Sequence, residues 1–365
     1  MRIDEILRQA CKLGASDVHL TVDSPPAFRL HGALLPLDAP EWQGRPEIDP
    51  SYVRALTPAD TDRLARQLIA PERYDDFLRA GDLDFAYTIE GMGRFRVNAY
   101  KQKGSVALAI RLINSRILSF TELGLPEILA DLSRRPRGLV LVTGPAGSGK
   151  STTLASMIDL VNGERHEHII TLEDPIEFIH GHKQCRVNQR EIGLDTGSFA
   201  DALHAALRED PDVILVGEMR DPETVGIALT AAETGHLVLA TLHTAGAAQT
   251  VDRIIDVFPP HQQRQIRVQL AGAIQGVVAQ QLIPRSDKPG RVAAVEIMVG
   301  TPAIRNLIRE GKTHQISNQI QTGAKYGMQT LDMSLRTLYQ NNLISRQEAL
   351  NRAADPESLR KMMEE

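Results

Sequence analysis

The sequence predicts a mixed α/β protein in which an antiparallel α+β region precedes a longer, mostly parallel α/β region and a set of C-terminal helices. Three patterns support this fold class. Short alternating segments with tight turns fill about the first 115 residues. Apolar runs then alternate with helical segments. Beyond Pro302 only helical spacing recurs.

The first region should begin with an amphipathic helix that ends at Gly14. Its apolar residues at helical spacing are Ile3, Ile6, Leu7, Ala10 and Leu13. Alternating segments follow, namely "DVHLTV", "AFRLHGAL", "LDFAYTIE", "GRFRVNAY" and "SVALAIRLI". Such segments between turns are typical of an antiparallel sheet with helices on one face. The polar, proline-rich stretch 37–50 predicts a loop.

The second region begins with "GLVLVTG" (138–144), a continuous apolar run typical of a parallel strand buried on both faces. Similar runs recur in "HIITLED", "DVILVGE" and "HLVLATLHT", with helical segments between them. Glycine or proline interrupts the helical pattern after Pro302 at Gly311, Gly323, Gly327 and Pro356. We predict an N-terminal domain over 1–115, a linker over 116–122, a core over 123–301 and a C-terminal helical region over 302–365.

Composition narrows the function. Hydrophobic content of 42% and charged content of 24% are typical of a packed globular protein. An aromatic content of 4%, a net charge of −5 and the absence of lysine or arginine runs disfavour nucleic-acid binding. Cys11 and Cys185 stand far apart, so neither a disulfide framework nor a tetrathiolate zinc site is supported. Acidic residues near the N-terminus and the lack of any apolar stretch of about 20 residues predict a cytoplasmic protein without direct membrane insertion.

"GPAGSGKSTT" (144–153) has the spacing of a phosphate-binding loop between a buried strand and a helix. Glycines let several backbone N–H groups point at one phosphate, and the helix N-terminus adds positive potential. Lys150 is expected to reach the β- and γ-phosphates, and the Ser151 hydroxyl to ligate Mg²⁺. The predicted nucleotide-binding residues are Gly144, Pro145, Ala146, Gly147, Ser148, Gly149, Lys150, Ser151 and Thr152.

Other acidic and imidazole side chains follow the neighbouring apolar runs. They are Glu173, Asp174, Glu177, Glu218 and His243. Ligands of open α/β sheets bind beyond the carboxyl ends of the strands, so these groups should meet the phosphate loop. A hydrolase needs one carboxylate for the attacking water and another for the metal's water shell. We prefer Glu218 for the water and Glu177 for metal support or base assistance, but the sequence leaves the choice open. Gly217 stands where an aspartate usually ends the second strand of a nucleotide site.

Together, "GPAGSGKSTT", "ITLEDPIEF", "VGEMRDPETV" and "LATLHT" resemble the Walker A, Asp-box, atypical Walker B and His-box motifs of the secretion ATPases. These are hexameric motors of type II secretion, type IV pili and related systems. The resemblance implies a RecA-like core that binds ATP and Mg²⁺, a homohexamer, and a catalytic role for His243. "GASDVHL" and "GRFRVNAYKQKGSVALAIRLI" are similar to the family's PAS-like N-terminal domain. By that similarity Arg96 and Arg111 approach the nucleotide phosphates; alternatively, Arg96 merely lines the solvent face of a strand.

Within the family, two features favour the pilus retraction members. The chain lacks the paired CxxC module that is general in extension and type II secretion motors. "PAIRNLIREGKTHQISNQIQTG" (302–323) is similar to the signature helix of the retraction members. The residues of that helix are Ala303, Ile304, Arg305, Asn306, Leu307, Ile308, Arg309 and Glu310.

The resemblance therefore implies a motor for pilus retraction and twitching motility. Its partners would be the pilus machinery and an inner-membrane platform protein, through which it would lie at the inner face of the inner membrane. The alternatives are an accessory retraction ATPase of the same family and a type II secretion or pilus extension motor. A nucleic-acid translocase is disfavoured because no basic, aromatic-bearing channel loop stands out in the sequence. The acidic and imidazole groups predicted at the strand ends disfavour a regulator that does not hydrolyse its nucleotide. A small-molecule kinase would be expected to have a lid domain after the core, and none is indicated.

Overall fold

A computed structural model describes residues 1–30, 32–113 and 116–364. The chain divides into two compact units, Met1–Arg116 and Ile117–Glu365. His31 within the predicted segment "AFRLHGAL", the last two residues of the predicted domain 1–115, and Glu365 lie outside the described residues. None of the helices in the described ranges is both long and apolar enough to cross a membrane.

The first unit contains an antiparallel sheet with the strand order β3-β2-β1-β6-β5-β4. Its strands are β1 (Asp17–Leu20), β2 (Ala27–Leu30), β3 (Ala33–Pro36), β4 (Asp82–Ile89), β5 (Gly93–Gln102) and β6 (Ser105–Ile113). Its helices are α1 (Ile3–Lys12), α2 (Pro58–Leu68) and α3 (Pro71–Ala80). The segment "AFRLHGAL" thus forms parts of two paired strands, β2 and β3, and not one continuous strand.

The hydrophobic core of this unit contains residues of α1, α2, α3 and the inward-facing side of the sheet, with Phe28, Phe77 and Phe95 fully buried. The predicted loop 37–50 includes the short 3₁₀ turn Pro40–Trp42, which buries Trp42 edge-on against Phe28. Helix α2 begins with a capping box in which Thr57 and Asp60 satisfy each other's backbone N–H groups.

The second unit contains a seven-stranded sheet with the order β13-β12-β7-β11-β10-β8-β9. All neighbouring strands are parallel except β12 and β13. The strands are β7 (Gly138–Thr143), β8 (His168–Glu173), β9 (Arg186–Glu191), β10 (Val213–Val216), β11 (Leu237–Leu242), β12 (Ile274–Pro284) and β13 (Arg291–Val299). The central strands β7, β10 and β11 are buried along their whole length.

Two helices precede β7, namely α4 (Phe120–Leu123) and α5 (Ile128–Ser133). The helices between the strands are α6 (Lys150–Glu164), α7 (Phe199–Ala206), α8 (Pro222–Thr234), α9 (Ala247–Asp256) and α10 (Pro260–Ala273). After β13 the chain forms α11 (Pro302–Arg309), α12 (Ile316–Gln321), α13 (Leu331–Gln340), α14 (Arg346–Arg352) and α15 (Pro356–Glu364). Helices α13 to α15 share a small hydrophobic core with β12 and β13. The predicted fold class is confirmed.

Candidate active site

The predicted phosphate-binding loop connects β7 to α6 at one edge of the parallel sheet. Gly144 and Gly149 have positive φ angles of 142° and 90°, which side chains strongly disfavour. A Cβ atom at Gly144 would lie 2.3 Å from the carbonyl oxygen of Gln280. Glycine is therefore required at Gly144 by both backbone conformation and lack of space.

Lys150, the first residue of α6, is half-buried beside this loop. Its Nζ donates hydrogen bonds to the carbonyl oxygens of Gly144 at 2.9 Å and Pro145 at 3.1 Å. Burial lowers the pKa of its ammonium group, while the charges of Glu218 and Glu177 oppose that shift. The structure thus brings Lys150 and the two candidate carboxylates within electrostatic range of one another.

Glu218 lies just beyond the end of β10 and has two basic neighbours. Its Oε1 atom is 3.2 Å from Nε2 of His243 and also accepts a hydrogen bond from Arg220. Burial opposes ionisation of Glu218, but the hydrogen bond from Arg220 and the charges of His243 and Arg220 outweigh it and lower the pKa of its carboxyl group. Glu218 is therefore held ionised, as a residue that orients or deprotonates water requires.

A side chain at Gly217, where an aspartate is usual, would be tightly packed against β8. A Cβ atom there would lie 3.0 Å from the carbonyl oxygen of Leu172 and 3.3 Å from Cα of Glu173. The close approach of β8 therefore favours glycine at this position.

The carboxylates after β8 have different environments. Glu173 accepts hydrogen bonds from Oγ1 of Thr171 at 2.6 Å and Nε2 of Gln189 at 3.1 Å, and burial raises the pKa of its carboxyl group. Asp174 is exposed, whereas Glu177 is half-buried. The Glu173 carboxylate is thus engaged by Thr171 and Gln189. Glu177 is the carboxylate of this loop whose charge acts on Lys150.

Two hydrogen-bonding residues of this site were not predicted. Gln189 on β9 donates to the carbonyl oxygen of Phe178 and accepts from the backbone N–H of His180, so it fixes the loop that carries Glu177. Gln280 on β12 contacts the phosphate loop itself, where its side chain donates to the carbonyl oxygen of Ser148 and accepts from Thr153. Neither position has a local sequence pattern that would reveal these contacts.

The first turn of α6 presents the predicted metal ligand. Ser151 is exposed and Thr152 is half-buried. An exposed hydroxyl next to Lys150 suits Mg²⁺, which keeps several waters and needs few protein oxygens. Within 1–30, 32–113 and 116–364, no cluster of three His, Cys, Asp or Glu side chains could hold a metal by itself.

In the first unit, Arg96 and Arg111 are direct cross-strand neighbours on β5 and β6. Arg111 lies opposite Asp17 in turn, and its Nε donates to that carboxylate at 2.9 Å. Arg96 is exposed, and no carboxylate of the described residues lies within salt-bridge distance of it. With Arg29, these side chains line an open depression of about 280 Å³. Phe95 and Val97, the neighbours of Arg96 on β5, are buried on the other face of the sheet. Exposure of Arg96 is therefore expected both for a residue that binds phosphate and for one that only lines the solvent face.

The predicted signature helix, α11, has two different faces. Ile304 and Ile308 are fully buried, whereas Ala303, Asn306, Arg309 and Glu310 are exposed. The Arg305 guanidinium donates to the carbonyl oxygens of Gly300 at 2.8 Å and Ala271 at 2.7 Å. Arg305 therefore connects α11 to the end of α10 within the second unit, whereas Leu307 is half-buried and the four residues named above remain exposed.

Comparison with known proteins agrees with these features. Residues 82–363 match the family model "Type II/IV secretion system protein". The "Type IV pilus retractation ATPase PilT" of Pseudomonas aeruginosa is 49% identical over 98% of this chain and 100% of its own length. A "Twitching motility protein" of Neisseria gonorrhoeae is 46% identical over 92% of this chain and 86% of its own length.

A solved structure is similar over almost the same span. The crystal structure of the pilus retraction motor PilT with bound ADP superposes with a TM-score of 0.90 and 47% identity, covering 99% of this chain and 100% of that chain. By these matches, the chain belongs to the type II/IV secretion system protein family, the family of the pilus retraction ATPases that it resembles over nearly its full length.

Proposed function

We propose that this protein hydrolyses ATP and uses the energy to retract type IV pili. The observation that carries the proposal is the full-length similarity to a pilus retraction ATPase. The site geometry supports the same chemistry, since Lys150, Glu218 and His243 lie at one edge of the parallel sheet.

The phosphate groups of ATP would lie over the backbone N–H groups of the loop 144–149, with Lys150 turned toward the β- and γ-phosphates. A water molecule attacks the γ-phosphorus, the bond to the ADP oxygen breaks, and Glu218 orients the water and accepts its proton. His243 and Arg220 hold the Glu218 carboxylate in place. Glu177 assists, either as a second base or as a partner of the metal's water shell.

Mg²⁺ supplies positive charge that neutralises the phosphates. We propose that the Ser151 hydroxyl holds this ion, with Glu177 or Glu218 acting through a water molecule. The exposed position of Ser151 beside Lys150 supports this assignment.

Arg96 and Arg111 are proposed to act on the same phosphates. An arginine can neutralise the charge that spreads over the γ-phosphate in the transition state. Two exposed guanidinium groups side by side on one sheet face suit that task, and Arg96 is not engaged by a carboxylate of the described residues.

The working assembly is proposed to be a homohexamer formed by a head-to-tail interface that closes into a ring. We propose that each subunit has four parts, namely an N-terminal domain (1–115), a linker (116–122), an ATPase core (123–301) and a C-terminal helical region (302–365). The exposed face of α11 (Ala303, Asn306, Arg309 and Glu310) would contact the pilus machinery or an inner-membrane platform protein. Such a contact would hold the cytoplasmic ring at the inner membrane.

An accessory retraction ATPase or a secretion or extension motor would share the nucleotide site. Retraction is favoured by the similarity of 302–310 to the signature helix of the retraction members. The distinguishing experiment is retraction in cells that lack their own retraction ATPase, complemented with this protein alone.

The catalytic assignment is tested by steady-state ATPase assays of Lys150→Ala, Glu177→Ala and Glu218→Ala, with oligomer mass measured alongside. We expect Lys150→Ala and Glu218→Ala to lose most activity while each variant keeps the hexamer mass. Normal hydrolysis by Glu218→Ala would refute its role as the base, and a monomer that hydrolyses ATP at the full rate would refute the ring.

A further inference from the structure

We propose that Gln280 is a positioning residue that holds the phosphate-binding loop in its nucleotide-binding shape. Gln280 lies on β12, far from the loop in sequence, and its side chain is 3% exposed. This inference rests on the proposed role of the loop 144–149 in binding the nucleotide phosphates.

The Gln280 amide uses both of its ends on the loop and the following helix. Its Nε2 donates to the carbonyl oxygen of Ser148 at 2.7 Å, and its Oε1 accepts from Oγ1 of Thr153 at 2.8 Å. Both hydrogen bonds are buried, so a water molecule cannot replace the Gln280 amide as the partner of Ser148 or Thr153 unless the structure changes. A primary amide supplies a donor and an acceptor together, which neither a carboxylate nor an apolar side chain can do.

The backbone brings β12 close enough for these bonds. Ala279 pairs with Thr143, the last residue of β7, so Gln280 lies directly beside the start of the loop. A Cβ atom at Gly149 would lie 2.7 Å from Nε2 of Gln280. The lack of a side chain at Gly149, the third glycine of the loop, is thus what lets the glutamine amide approach.

The hydrogen bond to Ser148 also fixes the direction of a neighbouring donor. The peptide unit between Ser148 and Gly149 is planar and trans, so its C=O and N–H groups point in opposite directions. Because the carbonyl group points at Gln280, the N–H group of Gly149 points away from β12. Gly149 is one of the residues whose N–H groups are proposed to bind phosphate, and loss of the Gln280 contact would leave that peptide free to rotate.

Thr153 extends the same contact into α6. It lies one turn after Lys150 on that helix, so Gln280 connects the loop and the start of the helix to one fixed strand. Gln280 therefore couples the orientation of the loop peptide to the position of the helix that carries Lys150 and Ser151.

The test measures the dissociation constant for Mg²⁺–ADP by calorimetry on the full-length protein, together with KM and kcat for ATP and the melting temperature. Gln280→Leu removes both bonds at similar volume, Gln280→Glu removes only the donor, and Thr153→Val removes the hydroxyl that Gln280 accepts from. Gln281→Leu is the matched control, because it makes the same change on the next residue of β12, whose amide bonds no group in the described part of the chain. Lys150→Ala tests the loop itself.

We expect Gln280→Leu and Gln280→Glu to weaken ADP binding about tenfold, equivalent to about 1.4 kcal/mol. Thr153→Val should weaken it about threefold, because the bond to Ser148 remains. In each case KM for ATP should rise more than kcat falls, and Gln281→Leu should behave as the unchanged protein. If Gln280→Leu does not fold, Gln280→Glu and Thr153→Val decide the question.

An ADP affinity within twofold of wild type in the Gln280 and Thr153 variants, with only a lower melting temperature, would overturn the inference and leave Gln280 as a core residue. If Lys150→Ala also binds ADP normally, the proposed nucleotide loop is wrong, and the failure lies with the proposed function. Loss of ADP binding in Lys150→Ala alone would leave the loop assignment standing and refute the role of Gln280.

Discussion

Replacing Glu218 by glutamine should stop most ATP hydrolysis while leaving the fold nearly unchanged. The side chain of Glu218 is 19% exposed, but its partners Arg220 and His243 are 77% and 45% exposed. Ion pairs with solvated partners contribute about 0.2–1 kcal/mol to the free energy of unfolding. A positioned general base contributes about 10²–10⁴-fold to the rate, which corresponds to about 2.7–5.5 kcal/mol of barrier. The effect on the rate should therefore far exceed the effect on stability.

The assay is phosphate release at saturating ATP, with urea unfolding and ADP binding measured on the same preparation. Glu164→Gln provides the control, because Glu164 also pairs with an arginine, Arg134 at 2.9 Å, but away from the strand ends. We expect Glu164→Gln to hydrolyse ATP normally and Glu218→Gln to lose at least about 100-fold. A Glu218→Gln rate within about threefold of wild type, with ADP binding intact, would refute the role of this carboxylate.

Other predictions follow from the same contacts. Arg220→Ala removes a group that lowers the pKa of Glu218. The acid limb of the plot of kcat/KM against pH should therefore move to higher pH. An unchanged plot would show that Arg220 does not control the charge of Glu218. Asp60→Asn should lower the free energy of unfolding by about 1–3 kcal/mol at pH 7, because its buried carboxylate accepts hydrogen bonds from a guanidinium group and a helix N-terminus. These bonds hold the pKa of Asp60 well below its usual range, so its stabilisation is present above the pKa of the unfolded chain and is lost as the pH falls. The gap between Asp60→Asn and wild type should thus shrink below about pH 4, as followed by fluorescence of the single tryptophan in the same unit; a gap that stays constant would contradict this assignment. Arg305→Ala should lower the free energy of unfolding by about 1–3 kcal/mol, as measured by thermal unfolding. Arg309 is exposed, so Arg309→Ala should change that free energy by less than about 0.5 kcal/mol but should reduce pilus retraction. Equal losses of stability in the two variants would argue against the separation of the two faces of α11.

The nucleotide edge of the sheet could be predicted because parallel strands bring their carboxyl ends together. Buried apolar runs marked β7, β8, β10 and β11, and the polar residues that follow each run therefore had to lie near one edge. The structure accordingly brings the Glu218 carboxylate to 3.2 Å from Nε2 of His243, although the two residues follow different strands.

The supporting contacts could not be predicted, because they join residues that are distant in sequence and follow no local period. Gln280 and Gln189 lie on β12 and β9, strands that the sequence pattern did not reveal. Their roles depend on which backbone carbonyl the folded chain places opposite each amide. The same limit applies to Arg305, whose helical position indicates only a polar face, while its carbonyl partners belong to α10 and to the residue after β13.

The paired strands β2 and β3 show a limit of a different kind. "AFRLHGAL" reads as one alternating run, but Gly32 has a φ angle of 91°, in the left-handed region, and the chain reverses direction there. A single glycine inside an alternating run is a weak turn signal, because glycine also occurs within strands.

The central claim is that ATP hydrolysis at the loop 144–151 drives pilus retraction. The most direct measurement is the retraction rate of single pili in cells that lack their own retraction ATPase and carry either this protein or its Lys150→Ala variant at equal abundance. We expect retraction with the unchanged protein and none with Lys150→Ala. Retraction at the same rate with both proteins would contradict the claim.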